Sequence, residues 1–231
     1  MTTAGTHVRL FIGVALIAMF ILVTPGFAAE PLSLPARNPE LGIAPSSTLG
    51  TNEEGVGLSV GEKVADFAID DFEGESVNWA ALVERGPLLV VFYRGGWCPY
   101  CNVQVRQLSE SYSKFKERGV LPVLISVDKV DASSLVQNTY EIPFPVLSDP
   151  DGYAHEAFGV FMEVDEATFK RYKEHGIDLE AWSGRDDHKI GVPSAFFVDD
   201  NGTIRWAHSD KDYRVRPSPQ QLLEVADRIH W

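Results

Sequence analysis

The sequence predicts an α/β fold with helices packed on a central sheet. Three observations carry this reading. An unbroken apolar run, Leu88–Tyr93, leads through two glycines into an amphipathic helix that opens at a Cys-x-x-Cys pair. Apolar runs then alternate with helical patterns, which favours a parallel sheet covered by helices. Near the end, Asp200-Asn201-Gly202 separates two apolar segments, a strong hairpin signal. The 231 residues, 45% of them hydrophobic, suffice for one well-cored domain plus extras. A net charge of -13 argues against a nucleic-acid partner, because phosphate backbones are held by basic patches.

Residues 1–28 read as an export signal. His7 and Arg9 give a weakly basic start, and Leu10–Val23 is apolar but short for a membrane span. Pro25 and Gly26 break the run, and Gly26-Phe27-Ala28 offers the small residues a signal peptidase reads. The alternative is an uncleaved anchor built on residues 10–23. Either way the folded part is expected outside the cytoplasm, periplasmic or extracellular, where disulfides form readily. Residues 29–59, rich in Pro, Gly, Ser and Asn, read as a flexible linker or extended arm without a core of its own. Residues 60–231 form the folded domain.

Within that domain, Val64–Phe67 with Ile69 suggests a first strand, Ser76–Asn78 a short partner, and Trp79–Val83 a helix ended by Gly86-Pro87. Leu88–Tyr93, with Val90 and Val91 inside it, suits a strand buried on both faces. Gly95 and Gly96 permit a tight turn. Pro99 fits the first helical position, where its missing N–H costs nothing. Val105, Leu108, Tyr112 and Phe115 continue as the apolar stripe of a helix that Gly119 stops. Val120–Val127 is a second buried strand, followed by a helix capped at Asp131 and running to Tyr140. Phe144–Leu147 is extended, Asp149–Gly152 turns, and Tyr153–Phe158 is a helical turn closed by Gly159. Asp165–His175 reads as a polar helix. The charged loop Ser183–Lys189 reads as solvated surface or, alternatively, as a rim beside Cys98. Ser194–Val198 and Thr203–Ala207 make the hairpin, and Ser218–Ile229 closes the chain as a helix.

Cys98 and Cys101 are the only cysteines. Cys98 falls at a helix cap just past the carboxyl end of a central strand, where open α/β sheets place their sites. A helix N-terminus stabilises an anion, and Arg94 adds a positive charge, so both are expected to lower the Cys98 pKa. Cys101, one turn further in, is expected to be less exposed and less acidic. Their i,i+3 spacing brings the sulfurs within disulfide reach. The reading is an attacking Cys98 and a resolving Cys101. A structural zinc site needs about four ligands, and no second pair has finger spacing, so no metal is expected. A c-type haem needs a histidine where Asn102 stands. A purely structural disulfide would more often join distant segments. No cofactor is called for.

The order strand, Cys-x-x-Cys helix, strand, helix, Gly191-Val192-Pro193, hairpin, helix resembles the thioredoxin fold. More specifically it resembles peroxiredoxin-like proteins of the alkyl hydroperoxide reductase and thiol-specific antioxidant superfamily. Val64–Phe67 looks like that group's opening strand, and Phe92–Pro99, with Arg94 and Trp97 inside it, sits where its peroxidatic loop sits. Gly176–Leu179, the Ser183–His188 loop and Asp212-Tyr213-Arg214 look like features of the peroxiredoxin-like subgroup. The resemblance implies a thioredoxin-like fold, a central mixed sheet flanked by helices, with a peroxiredoxin-type N-terminal extension. It also implies that Pro193 is a cis-proline facing the cysteines, holding Val192 extended to pair with a substrate backbone.

This chain departs from the resemblance in three places. Gly95 stands where a typical peroxiredoxin has Thr or Ser. Pro193 and Ser194 occupy the region of its active-site arginine. Phe92 stands where thioredoxin has its buried acid. Two reactions are therefore weighed. In one, Cys98 reduces a hydroperoxide, Cys101 resolves it, and a thioredoxin-type donor re-reduces the pair. In the other, the pair exchanges disulfides with exported client proteins. A redox-inert binding module is a third reading, against which the intact Cys-x-x-Cys speaks.

Overall fold

The computed structural model describes residues 1–2 and 31–231. The export-signal and anchor expectations therefore fall, beyond the first two residues, outside the described residues. Among the described residues no helix is long and apolar enough to cross a membrane. Leu32–Trp231 forms one compact unit.

The elements, in chain order, are β1 (Ala44–Pro45), β2 (Ala68–Asp71), β3 (Ser76–Asn78), α1 (Trp79–Val83), β4 (Leu88–Phe92), α2 (Pro99–Glu110), α3 (Tyr112–Glu117), β5 (Leu121–Ser126), α4 (Val130–Tyr140) and β6 (Val146–Ser148). There follow α5 (Tyr153–Phe158), β7 (Phe161–Glu163), α6 (Glu166–Glu174), α7 (Leu179–Ser183), β8 (Lys189–Gly191), β9 (Ser194–Val198), β10 (Ile204–Ser209), β11 (Val215–Arg216) and α8 (Pro219–Ala226). The main sheet has the order β10-β9-β4-β5-β6-β2-β3. β4, β5 and β6 pair in parallel, and β9, β10, β2 and β3 add antiparallel flanks. The sheet is mixed, as the resemblance implies.

β4 is the central strand, and its apolar run explains why. Successive strand side chains point to opposite faces. Leu89, Val91 and Tyr93 enter one core with Val105 and Leu108 of α2, Val136 of α4 and Leu222 of α8. Leu88, Val90 and Phe92 enter the other with Trp79 and Leu82 of α1 and Phe158 of α5. Each such side chain contributes about 1.5–3 kcal/mol on burial. A strand with one polar face could not hold this position.

Local chemistry sets most helix ends. Asn78 caps α1, Asp165 caps α6, and Ser218 with Gln221 forms a capping box on α8. Two expectations shift, and one element is new. The first strand starts at Ala68, not at Val64, because Val64 donates its N–H to Gly202 O at the hairpin tip and Lys63 bridges Thr203. The N-cap of α4 is Lys129, and Asp131 lies in the first turn instead. The chain enters α4 directly from the end of β5, and the Lys129 N–H is held by Trp182 O. An unforeseen ladder, β7 with β8, closes the base of the segment that carries α6 and α7.

Residues 32–59, the part of the 29–59 segment expected as a flexible linker or extended arm that lies in this unit, are an extended arm docked along the domain. β1 pairs in parallel with β11. Gly57 N–H donates to Gly159 O and Leu58 N–H to Phe158 O, Glu53 N–H donates to Ser209 Oγ, and Leu32 and Leu34 pack on the core. The backbone groups find partners on the domain, so the segment is not a free tether.

Candidate active site

β4 and β5 end side by side, and the site lies at their carboxyl ends. The chain leaves β4 through Tyr93 and Arg94 and turns at Gly95-Gly96. Gly95 has φ 143°, and a Cβ there would stand 2.4 Å from Trp97 Nε1 and 2.7 Å from Asp128 Oδ1. Only glycine fits this backbone and this space. A threonine at position 95 is therefore excluded by packing. The turn is held from both sides: Gly96 N–H donates to Asp128 Oδ2 at 2.8 Å, and Asn102 Nδ2 donates to Gly96 O at 2.8 Å.

Cys98 is the N-cap of α2, with Pro99 in the first turn. Its sulfur accepts the Cys101 N–H at 3.4 Å. Both cysteines are free thiols, and both are buried. Arg94 is buried too. Its guanidinium carbon lies 4.7 Å from the centre of the Trp97 ring, 5.5 Å from that of Tyr172 and 4.5 Å from that of Tyr213, and its Nη2 donates to the Tyr172 hydroxyl. This is a cation held in an aromatic cage. Trp97 thus acts as one wall of the cage, and α6 supplies another.

The sequence reading missed Arg216. It is 1% exposed and lies on β11, just before α8. Its Nη2 donates to Cys101 Sγ at 3.2 Å, its Nη1 to Gln104 Oε1 at 2.8 Å and its Nε to Tyr213 O at 3.0 Å. The region of Pro193 and Ser194 lacks an arginine, but the site does not: one arrives from a different strand. No local pattern around Arg216 marks it, because only the tertiary fold brings β11 over α2.

The two thiols are not charged as expected. Burial raises the Cys98 thiol well above its usual value, and its hydrogen bond with Cys101 and the charge there raise it further, while Arg216 and Arg94 pull it back. Burial also raises Cys101, but the hydrogen bond from Cys98, the charges of Arg216 and Arg94 and a hydrogen bond from the Arg94 backbone outweigh it and bring Cys101 down to about 5. The expectation of an acidic Cys98 and a less acidic Cys101 is thus reversed. Arg216 donates a hydrogen bond to Cys101 Sγ, whereas on Cys98 it acts through its charge alone.

Val192 and Pro193 do not offer a docking edge. Val192 is fully buried, its N–H donates to Val160 O at 2.7 Å, and its C=O accepts the Ser194 hydroxyl at 2.8 Å. No cis peptide bond occurs among the described residues, so the implied cis-Pro193 is corrected to trans. The chain runs extended from β8 into β9 there, and Pro193 O is taken by Asp210 N–H. A client strand has nothing to pair with at Val192. The charged loop Ser183–Lys189 satisfies itself: Arg185 pairs with Asp187 and Asp151, and His188 with Glu180. It is the neighbouring helices that reach the site, through Tyr172 and through Trp182, which packs at Gly96.

A thioredoxin-fold protein with a paired-thiol centre is the class that this sheet and this site define. The AhpC/TSA family profile matches residues 60–207, and the chain belongs to that family. It is 30% identical over 148 residues to a putative peroxiredoxin bcp of Coxiella burnetii, covering 64% of this chain and 85% of that one. It is 28% identical over 106 residues to the thiol-disulfide oxidoreductase ResA of Bacillus thuringiensis, covering 45% of this chain and 59% of that protein's length. Among solved structures it is similar to the peroxidoxin BcpB of Mycobacterium tuberculosis, with a TM-score of 0.58 and 20% identity over 74% of this chain and 98% of that one. It is also similar to the reduced Prx3 of Vibrio vulnificus in complex with hydrogen peroxide, with a TM-score of 0.60 and 13% identity over 74% and 97%. These likenesses show the fold.

Proposed function

We propose that this protein is a thiol-dependent peroxide reductase. The observation that carries the reading is a reduced, buried Cys98–Cys101 pair with two guanidiniums acting on it, Arg94 and Arg216. Cys98 passes its proton to Cys101 and attacks the hydroperoxide as a thiolate. The O–O bond breaks, Cys98 takes the terminal OH as a sulfenic acid, and the alkoxide or hydroxide leaves and takes a proton from solvent. Cys101 then displaces the sulfenic oxygen as water and closes the disulfide, which a thioredoxin-type donor reduces. The closed site and the occupied backbone of Val192 favour a small oxidant over a folded client. The peroxiredoxin relatives support the same reaction class.

Disulfide exchange with exported proteins is the second reading. It is favoured by Gly95, which places no hydroxyl beside Cys98 to bind a peroxide, and by the match to ResA. The exported setting rests on the apolar run Leu10–Val23 and the small residues that follow it.

Stopped-flow mixing of the reduced chain with hydrogen peroxide, and separately with a protein disulfide, decides between them. Oxidation by peroxide at least tenfold faster than a free cysteine is expected. A rate equal to that of free cysteine, with fast reaction against the protein disulfide, establishes the second reading. Slow reaction with both leaves the redox-inert module.

A further inference from the structure

One residue touches both of the guanidiniums that act on the thiol pair. Tyr213 lies in the turn between β10 and β11. Its ring centre stands 4.5 Å from the guanidinium carbon of Arg94. Its carbonyl accepts the Arg216 Nε–H at 3.0 Å. The same ring meets Tyr100 edge to face, with centres 5.3 Å apart and planes at 69°. Tyr100 stands between Cys98 and Cys101 in the chain, on the first turn of α2. Both ring contacts are attractive, and both need an aromatic face.

The turn that carries Tyr213 is built to hold one shape. Asp210 N–H donates to Pro193 O at 3.1 Å, Asp212 N–H to Asp210 Oδ1 at 2.8 Å, and Val215 N–H to Asp212 O at 2.9 Å. The Arg214 guanidinium forks onto the Asp212 carboxylate at 2.8 and 2.7 Å. None of these bonds uses the Tyr213 side chain, which leaves the residue 37% exposed. The ring is therefore not core filling. Its neighbours are a cation and the helix start that carries the cysteines. Arg216 depends on the same residue in another way. Its planar guanidinium has N–H groups in fixed relative directions, so the two oxygens that hold Nη1 and Nε determine where Nη2 points. One oxygen is Gln104 Oε1, the other is Tyr213 O, and Nη2 is aimed at Cys101 Sγ.

We propose that Tyr213 is a positioning residue that ties the two guanidiniums together: its ring fixes Arg94, and the same ring, seated against Tyr100, keeps the Tyr213 carbonyl on Arg216. Both charges are thereby held on the thiol pair before any oxidant arrives. The inference rests on the thiol-redox reading of the site but not on which oxidant the pair meets.

The test is titration of the reduced full-length chain by thiolate absorbance at 240 nm, with denaturant melts alongside. Tyr213→Leu removes the aromatic face and keeps an apolar side chain, and Tyr213→Phe removes only the hydroxyl. Tyr213→Leu is expected to raise the low thiol titration by about half a unit or more, which is about a threefold loss of thiolate on its rising limb. Tyr213→Phe is expected to titrate like the wild type. A Tyr213→Leu chain that melts earlier but titrates like the wild type overturns the proposal, because a merely structural ring would behave that way. A Tyr213→Phe shift as large as that of Tyr213→Leu overturns it too, since the role would then belong to the hydroxyl. Should Tyr213→Leu not fold, Tyr100→Leu carries the test: it removes the seat of the ring and is expected to shift the titration in the same direction, and no shift overturns the proposal. None of these readouts uses peroxide. If the wild type reacts with peroxide no faster than free cysteine, the peroxide reading fails while the titration still decides the role of Tyr213.

Discussion

Two guanidiniums act on the thiol pair, and they are held differently. Arg94 sits among Trp97, Tyr172 and Tyr213, and its hold is on rings. Arg216 is fixed by two oxygens and touches a sulfur directly. Its replacement by Met is expected to raise the Cys101 titration by a unit or more, read from thiolate absorbance at 240 nm. Arg216→Lys, which keeps the charge but not the fork, is expected to fall between. The same titration checks which sulfur carries the charge. Cys98→Ser should retain a thiolate that titrates well below a free cysteine, and Cys101→Ser should lose it. A third residue-scale prediction concerns Gly95. Restoring the threonine of a typical peroxiredoxin should not restore a peroxide-binding hydroxyl. With φ 143° and a Cβ 2.4 Å from Trp97 Nε1, Gly95→Thr is expected to cost at least about 2 kcal/mol by chemical denaturation.

Among the elements, β4 was fully legible in sequence, because an unbroken apolar run has no place except between two cores. The hairpin β9–β10 was legible because its turn residues carry their own instructions, whereas Asp131, read from sequence as a helix cap, proved to lie in the first turn of α4. The arm was not legible. Its composition matches a linker, and what docks it is backbone pairing to β11, which no side-chain pattern announces. That pairing has a consequence for the site. Ala44 N–H donates to Arg214 O at 2.8 Å, and Pro45 lies opposite Arg216. Ala44→Pro removes the donor. It is expected to destabilise the fold by about 1 kcal/mol, the worth of one hydrogen bond. It should also raise the Cys101 titration, because the strand that carries Arg216 loses its clamp. A change in stability without a change in that titration would show that β11 is held well enough by α8 alone.

For the whole molecule, the buried carboxyl of Asp128 sets a pH dependence of stability. Burial raises its folded pKa to about 7, above an unfolded value near ~3.9. Between those values the folded chain binds a proton that the unfolded chain does not, so the contribution of this group to stability falls as pH rises through that window. Cys101, lowered to about 5, acts in the opposite sense: its contribution is present above the unfolded thiol value and lost as pH falls through 5. The difference between wild type and Asp128→Asn isolates the first term. Relative to that variant, the wild type is expected to lose on the order of 1–4 kcal/mol between pH 4 and pH 8, measured by denaturant melts. A difference that does not change with pH would mean that Asp128 stays ionised throughout.

The sequence alone determined the class of fold and the reactive pair. Buried strands, amphipathic helices and a Cys-x-x-Cys at a helix start are local patterns, and each is dictated by a few consecutive residues. It also placed Arg94, Trp97 and Pro99 at the site, because they share that stretch. The tertiary structure decided everything that depends on chain segments far apart. It brought Arg216 to Cys101 across more than a hundred residues, set Asp128 under the turn, and closed Val192 against its own chain. It also decided which sulfur bears the charge, since burial and the Arg216 fork, which are not local properties, outweigh the helix end that the sequence could see.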